Sequence, residues 1–232
     1  MTTDTQRPTV IWHPGDVTPA MRERLNGHRG RVLWFTGLSG AGKSTLAHAV
    51  EACLHEQGRR AFVLDGDHLR HGLCAGLGFS SADRSENLRR AAEVARLFAD
   101  AGTVTLAAFI SPLREDRERV RAIVGADRFV EVYVACPLAE CESRDVKGLY
   151  KRARAAEIPH FTGISAPYEA PEHPDLVLDT SRTPIEACVA QVLACVDRIV
   201  SLEADTFTDI GESMHPAPTD RAPLTRSQRV EV

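Results

Sequence analysis

The chain has 232 residues, a length that accommodates one large domain or two small ones around a continuous core. A hydrophobic fraction of 43% and a charged fraction of 26% set aside fibrous, disordered and membrane-spanning classes. A net charge of -4 provides no global basic field for nucleic acid or an anionic membrane, so anionic ligands need a local arrangement. Residues 1–15 carry no apolar stretch of a secretory leader, and no run approaches a membrane span, which points to the cytoplasm. The six cysteines (Cys53, Cys74, Cys136, Cys141, Cys188 and Cys195) form no CxxC pair and fit no zinc spacing, so they read as small buried thiols.

In chain order, residues 1–30 show little beyond a short amphipathic piece near Met21–Leu25 and read as an N-terminal extension. Five apolar runs then read as strands: Val32–Thr36, Ala61–Leu64, Thr103–Ile110, Phe129–Val134 and Leu176–Leu178. They lack polar alternation, as parallel strands covered on both faces do. Helical patterns occupy Lys43–Gln57, Ser81–Ala101, Arg114–Val124 and Pro184–Val200. This alternation predicts one α/β domain over 31–202, a doubly wound, mostly parallel five-stranded sheet with helices on both faces. Residues 203–232 are rich in Thr, Pro, Ser and charge and read as a mobile tail.

Gly37-Leu-Ser-Gly-Ala-Gly-Lys-Ser44 fits GxxxxGK[ST] between the first strand and the first long helix, the context that marks a P-loop. Gly37, Gly40 and Gly42 free the backbone so that amides of Leu38, Ser39, Ala41 and their neighbours through Thr45 turn inward on a phosphate. The helix dipole adds to that field. Lys43 can bridge the β- and γ-phosphates, and Ser44 can ligate Mg²⁺. ATP with Mg²⁺ is therefore the expected cofactor. No Asn-Lys-x-Asp element of a GTPase occurs, and the chain is short for a motor ATPase, which leaves a small-molecule acceptor.

The second strand runs into Asp65-Gly-Asp67, at a carboxyl end where ligands of open sheets collect. Its carboxylates suit Mg²⁺ (Asp65 with Ser44) and a proton from an attacking hydroxyl, although an Asp here also suits a helix N-cap. Arg70 follows and can offset an acceptor's charge. Ser80 and Asp83 form a capping box that opens the next helix. Arg84 and Asn87 share a face of its first turns, where the dipole favours an anion. Phe79, just before the cap, fits either a hydrophobic staple or a platform for a ring. Phe109-Ile-Ser-Pro112 ends the third strand on the ligand side, with Ser111 suited to a ligand or to capping. A cationic run with Arg144, Lys147, Lys151, Arg152 and Arg154 around Gly148 suits a closing flap or a solvated basic helix. Phe161 reads as a second exposed aromatic, placed to stack opposite Phe79.

Together these stretches resemble adenylyl-sulfate kinases (APS kinases). The stretches are Trp12-His13, Trp34–Ser39, Leu64–Asp67, Arg70–Leu73, Leu77–Ser80, Asp83-Arg84, Glu86-Asn87, Arg89-Arg90, Phe109–Pro112, Arg144-Asp145, Lys147-Gly-Leu-Tyr150, Phe161-Thr-Gly163 and Pro167-Tyr-Glu169. They run in the family's order from residue 12 to about 180. KGLY, FTG and FISP in combination are specific. The resemblance implies transfer of the ATP γ-phosphoryl to the 3′-hydroxyl of adenosine 5′-phosphosulfate, giving 3′-phosphoadenosine 5′-phosphosulfate, in sulfate assimilation. It implies that Phe79 and Phe161 sandwich the adenine and that Arg70, Arg84 and Asn87 hold the phosphosulfate. Ile110 and Ser111 would line the site, and Lys147 and Leu149 would belong to a lid. Family members carry a serine at Ser111 described as a phosphoserine intermediate, whereas the DGD carboxylates favour direct in-line transfer. A homodimer and association with ATP sulfurylase are further implications. Val146, Ala156 and Ser165 depart from the family's usual proline, glycine and aspartate, which bears on the lid rather than the chemistry. Two rival readings are a P-loop kinase for another acceptor (a nucleoside, gluconate or shikimate) and a non-enzymatic nucleotide-binding subunit.

Overall fold

The computed structural model describes His13 and residues 15–202. The tail expected at 203–232, all of the first twelve positions and Pro14 lie outside the described residues. Five strands, β1 (Arg31–Thr36), β2 (Ala61–Asp65), β3 (Val104–Ala108), β4 (Phe129–Ala135) and β5 (Leu176–Asp179), form one sheet in the order β2-β3-β1-β4-β5. Every pairing is parallel.

The absence of alternation in the strand sequences has a direct cause. On β1, Leu33 and Phe35 face one core with α2 (Lys43–Glu56) and α8 (Ile185–Val200), while Val32 and Trp34 face the other with α4 (Ser81–Asp100) and α5 (Arg114–Val124). All four of these β1 side chains are fully buried. A strand sandwiched this way has no solvent face to mark in its sequence. α4 meets the sheet through Ala91, Ala92, Ala95 and Ala99, a seam of small residues that brings helix and strands close.

Local signals set the boundaries. Ser80 Oγ accepts the Asp83 amide at 3.1 Å and caps α4 as the capping box predicts. Thr18 caps α1 (Pro19–Asn26), and Gly27 closes it in the left-handed conformation. α1 reaches the C-terminal end of α4 through Asn26 Nδ2, which donates to the carbonyl of Gly102 at 3.0 Å. β3 is shorter than the apolar run predicts: Phe109 still donates to Phe35 O at 3.1 Å, but Ser111 then takes a φ of 39° and turns the chain away. Three short helices have too few residues to show a period: α3 (Gly66–Leu69), α6 (Leu138–Arg144) and α7 (Leu149–Arg154). All three lie on the ligand side of the sheet.

β1 lies between β3 and β4, so the chain leaves it toward β2 on one side and returns to β4 on the other. That reversal opens a crevice beyond the carboxyl end of β1, where Gly37 begins. The opposite end of β1 is tightly packed. A Cβ on Gly30 would sit 2.1 Å from the Ala99 carbonyl oxygen, a main-chain atom that no rotamer change can clear. Gly30→Ala should therefore destabilise the fold by about 1–3 kcal/mol, read as a lower urea midpoint with an unchanged m-value.

Candidate active site

The loop from Gly37 to Gly42 is held from behind. Lys43 Nζ donates to the carbonyls of Gly37 (2.9 Å) and Leu38 (2.7 Å). The Tyr150 hydroxyl donates to Ser39 O at 2.9 Å, Arg144 reaches Gly40 O at 3.5 Å, and Thr180 Oγ1 donates to Ala41 O at 2.8 Å. With each carbonyl drawn to a side chain, the loop amides are left for a ligand, except that of Ala41, which donates to Leu38 O at 3.2 Å. The geometry requires glycine twice: Gly40 and Gly42 have φ of 75° and 98°. Lys43 is buried, and burial lowers its pKa to about 8, an environment suited to a strongly anionic partner.

Ser44 Oγ donates to Asp65 Oδ2 at 2.5 Å, so the two side chains expected at Mg²⁺ meet. Asp65 also accepts the Asp67 amide at 2.9 Å, so it caps α3 as well as facing Ser44. Burial pushes the Asp65 carboxyl up, but hydrogen bonds from Ser44 and the Asp67 amide outweigh it, and the pKa ends below the usual carboxylate range. Asp67 is exposed and pairs with Lys147 of the segment between α6 and α7. That contact raises the Lys147 pKa.

The cavity between these elements has a volume of about 780 Å³. Ser39, Gly40, Gly42, Lys43, Ser44, Thr45, Asp65 and Asp67 line one end. Arg70, Phe79, Arg84, Asn87, Ile110, Ser111, Lys147, Leu149 and Phe161 line the rest. Gly37, Leu38 and Ala41 belong to the loop but do not line this cavity; Leu38 faces a separate groove with Leu138 and Tyr168.

Phe79 is 64% exposed at the mouth, with the Arg70 guanidinium 4.3 Å from its ring centroid. Arg84 Nε donates to Phe79 O at 2.9 Å and Arg84 NH2 to His160 O at 3.0 Å, which ties the start of α4 to the loop carrying Phe161. Burial and the nearby Arg70 charge both lower the Arg84 pKa. Asn87 is buried, and its side-chain oxygen has no hydrogen-bond partner among the described residues, as expected of a group kept for a ligand.

Two expectations change. Phe161 is not an exposed platform: it is 8% exposed and stands edge-on to Tyr150, with centroids 5.1 Å apart. Its carbonyl accepts the amides of Ile164, Ser165 and Ala166, a turn tight enough to pull the ring inward. Ser165 contributes by accepting the Phe161 amide at 3.0 Å. The basic run is also more tied down than a free flap. Arg144 donates to Thr180 O at 2.7 Å, Arg154 pairs with Glu142 at 2.8 Å, and Asp145 accepts the amides of Tyr150 and Lys151 and so caps α7.

Ser111 is 2% exposed, and its hydroxyl accepts Trp34 Nε1 at 3.1 Å. Its carbonyl accepts from Arg117 at 2.7 Å; Arg117 in turn reaches Glu131 (2.7 Å) and the Glu169 carbonyl (2.7 Å). This buried hub holds the left-handed turn at Ser111, and nothing in the sequence pattern marked it. Tyr150 was legible only as part of KGLY, and Thr180 carried no signal.

A P-loop on a parallel sheet, with an acidic turn opposite it, defines a nucleoside-triphosphate-dependent phosphotransferase. Residues 29–179 match the family model for adenylylsulphate kinase. An adenylyl-sulfate kinase of Enterobacter sp. (strain 638) is 64% identical over 170 residues, 73% of this chain and 85% of its own length. One from Acaryochloris marina is 58% identical over 184 residues, 79% of this chain and 90% of its own. The Mycobacterium tuberculosis APS kinase, solved in complex with AMPPNP and APS, aligns with a TM-score of 0.70 at 53% identity and covers 73% of this chain and 98% of its own. The chain belongs to the adenylylsulphate kinase family, and it is an ATP-utilising kinase.

Replacing Arg117 by Leu strands the Glu131 carboxylate and frees the Ser111 carbonyl. A loss of about 3–5 kcal/mol in unfolding free energy is expected, and the Arg117→Leu/Glu131→Leu double variant should recover a large part of it in the same denaturation series.

Proposed function

We propose that this chain transfers the γ-phosphoryl group of ATP to the 3′-hydroxyl of adenosine 5′-phosphosulfate, giving 3′-phosphoadenosine 5′-phosphosulfate. The observation that carries the reading is the single cavity that runs from Lys43 and Ser44 to Phe79, Arg84 and Asn87. One end suits a triphosphate; the other offers an aromatic face, two guanidinium groups and a buried amide to a nucleotide with an anionic tail. Relatives named as adenylyl-sulfate kinases at 58–64% identity support the same acceptor.

The Ser44 hydroxyl and the Asp65 carboxylate form a hard-oxygen pair that fits Mg²⁺ and would hold it. Bound there, the ion would neutralise charge on the transferring group. The loop amides and Lys43 hold the triphosphate in line with the acceptor. Asp67 is the favoured proton acceptor for the 3′-hydroxyl: among the described residues its carboxylate is hydrogen-bonded by the Lys147 ammonium alone, whereas the Asp65 carboxylate is engaged by Ser44 and by the α3 amide. Phe161 lines the cavity from a buried position packed against Tyr150, so Phe79 is the exposed ring of the pair. The Ser111 hydroxyl, enclosed and held by Trp34, supports direct transfer without a phosphoserine.

Among the described residues no helix is long and apolar enough to cross a membrane, and we include cytoplasmic action in the reading. We also include a homodimer: Val17, Met21 and Leu25 form an exposed apolar row on and just before α1 that suits self-association.

Incubation with Mg·ATP and adenosine 5′-phosphosulfate, with the nucleotides resolved afterwards, should yield the 3′-phosphorylated product. Turnover of gluconate or a nucleoside instead would overturn the assignment, and nucleotide binding with no turnover would point to a non-catalytic subunit. Lys43→Ala should lower kcat by about 10²- to 10³-fold while the fold stays largely intact. Ser111→Ala should keep kcat within about tenfold of the unaltered enzyme; abolished turnover with normal ligand binding would restore the phosphoserine route. Asn87→Ala should raise the KM for the acceptor about tenfold, with little change in the KM for ATP.

A further inference from the structure

Tyr150 touches both ends of the cavity wall. Its hydroxyl donates to Ser39 O in the phosphate loop at 2.9 Å, and its ring receives Phe161 edge-on at an interplanar angle of 79°. It is 1% exposed and belongs to the same short helix, α7, that begins with Leu149 and follows Lys147. The helix is anchored at its start by Asp145, whose carboxylate accepts the amides of Tyr150 and Lys151 at 3.0 Å each. Asp145 follows Arg144, whose guanidinium reaches Gly40 O and Thr180 O.

On the acceptor side, the loop carrying Phe161 is bound to α4 through Arg84, which donates to His160 O and to Thr162 Oγ1. A continuous line of contacts thus runs from Ser39 through the Tyr150 hydroxyl and ring to Phe161, then through the 160–162 loop to Arg84 beside Phe79. Displacing the Ser39 carbonyl would leave a buried phenol unpaired, at a cost comparable to a lost hydrogen bond. Closing the phosphate loop on a triphosphate and seating the acceptor therefore bias the position of the same aromatic pair.

We infer that Tyr150 is a positioning residue that couples the phosphate loop to the acceptor subsite, so that occupation of either site changes affinity at the other. This inference rests on the acceptor assignment above. Coupling of this kind is reciprocal for binding free energies, which makes it measurable from either ligand.

The test uses the full chain and Tyr150→Phe, which removes one hydroxyl and keeps the ring against Phe161. Titration calorimetry gives the Kd of a non-hydrolysable ATP analogue with and without saturating adenosine 5′-phosphosulfate, and the reverse pairing. In the unaltered protein each ligand should shift the other's Kd. In Tyr150→Phe that shift should shrink at least about threefold, while Tm falls by no more than about 4 °C. Phe161→Leu should shrink it as well, and the double variant should lose no more than the larger single loss; this second series decides the matter if Tyr150→Phe is too unstable to titrate. Equal coupling in variant and unaltered protein, additive losses, or independent binding in the unaltered protein would overturn the inference while leaving the kinase reading intact. No binding of the acceptor to the unaltered protein would overturn both.

Discussion

The structure depends on the outward turn of five successive carbonyls. From Gly37 to Ala41, each main-chain oxygen is taken by a side chain: Lys43 twice, then Tyr150, Arg144 and Thr180. Apart from the Ala41 amide, which donates to Leu38 O, peptides that give their oxygens to side chains leave their N–H groups to converge on a phosphate. The glycines make this conformation accessible, but the side chains behind them select it. Those side chains come from α2, α7, the end of α6 and the segment after β5, so the cradle integrates elements that are far apart in sequence.

The same logic explains why the acidic turn sits where it does. β2 delivers Asp65 to the carboxyl end of the sheet, two strands from the P-loop strand, and the right-handed crossover through α2 sets Ser44 beside it. The two carboxylates then differ through their surroundings. Asp65 is fixed by a hydroxyl and an amide, while Asp67 is exposed and meets Lys147. One residue type thus occupies two settings, one side chain enclosed and the other wet.

Much of this was legible in the sequence, for identifiable reasons. The P-loop, the DGD turn and the capping box are local patterns whose meaning does not depend on distant contacts. The doubly wound sheet followed from strands with no polar face and from long amphipathic helices; Arg114–Val124 falls where the pattern put it. Spatial convergence of distant residues was not legible. The Arg117–Glu131–Ser111 hub joins positions on α5, β4 and the turn after β3, and no spacing announces it. Phe161 was misread as exposed because a single aromatic in a Pro- and Gly-flanked loop carries no periodicity, and its burial is decided by Tyr150 and by a turn closed on its own carbonyl. α3, α6 and α7 had no bounds in the sequence, where a helix was only an alternative reading at the DGD turn and the basic run, because one or two turns cannot display a helical repeat.

The alanine seam on α4 has a consequence for how such an enzyme can diverge. Ala91, Ala92, Ala95 and Ala99 set the stand-off between helix and sheet, and the same helix carries Arg84 and Asn87 at its other end. Helix–sheet spacing follows side-chain volume, so a single added methylene along that seam would tilt the rod and swing both groups like the tip of a lever. The shape of the cavity can thus be retuned from positions that do not line it.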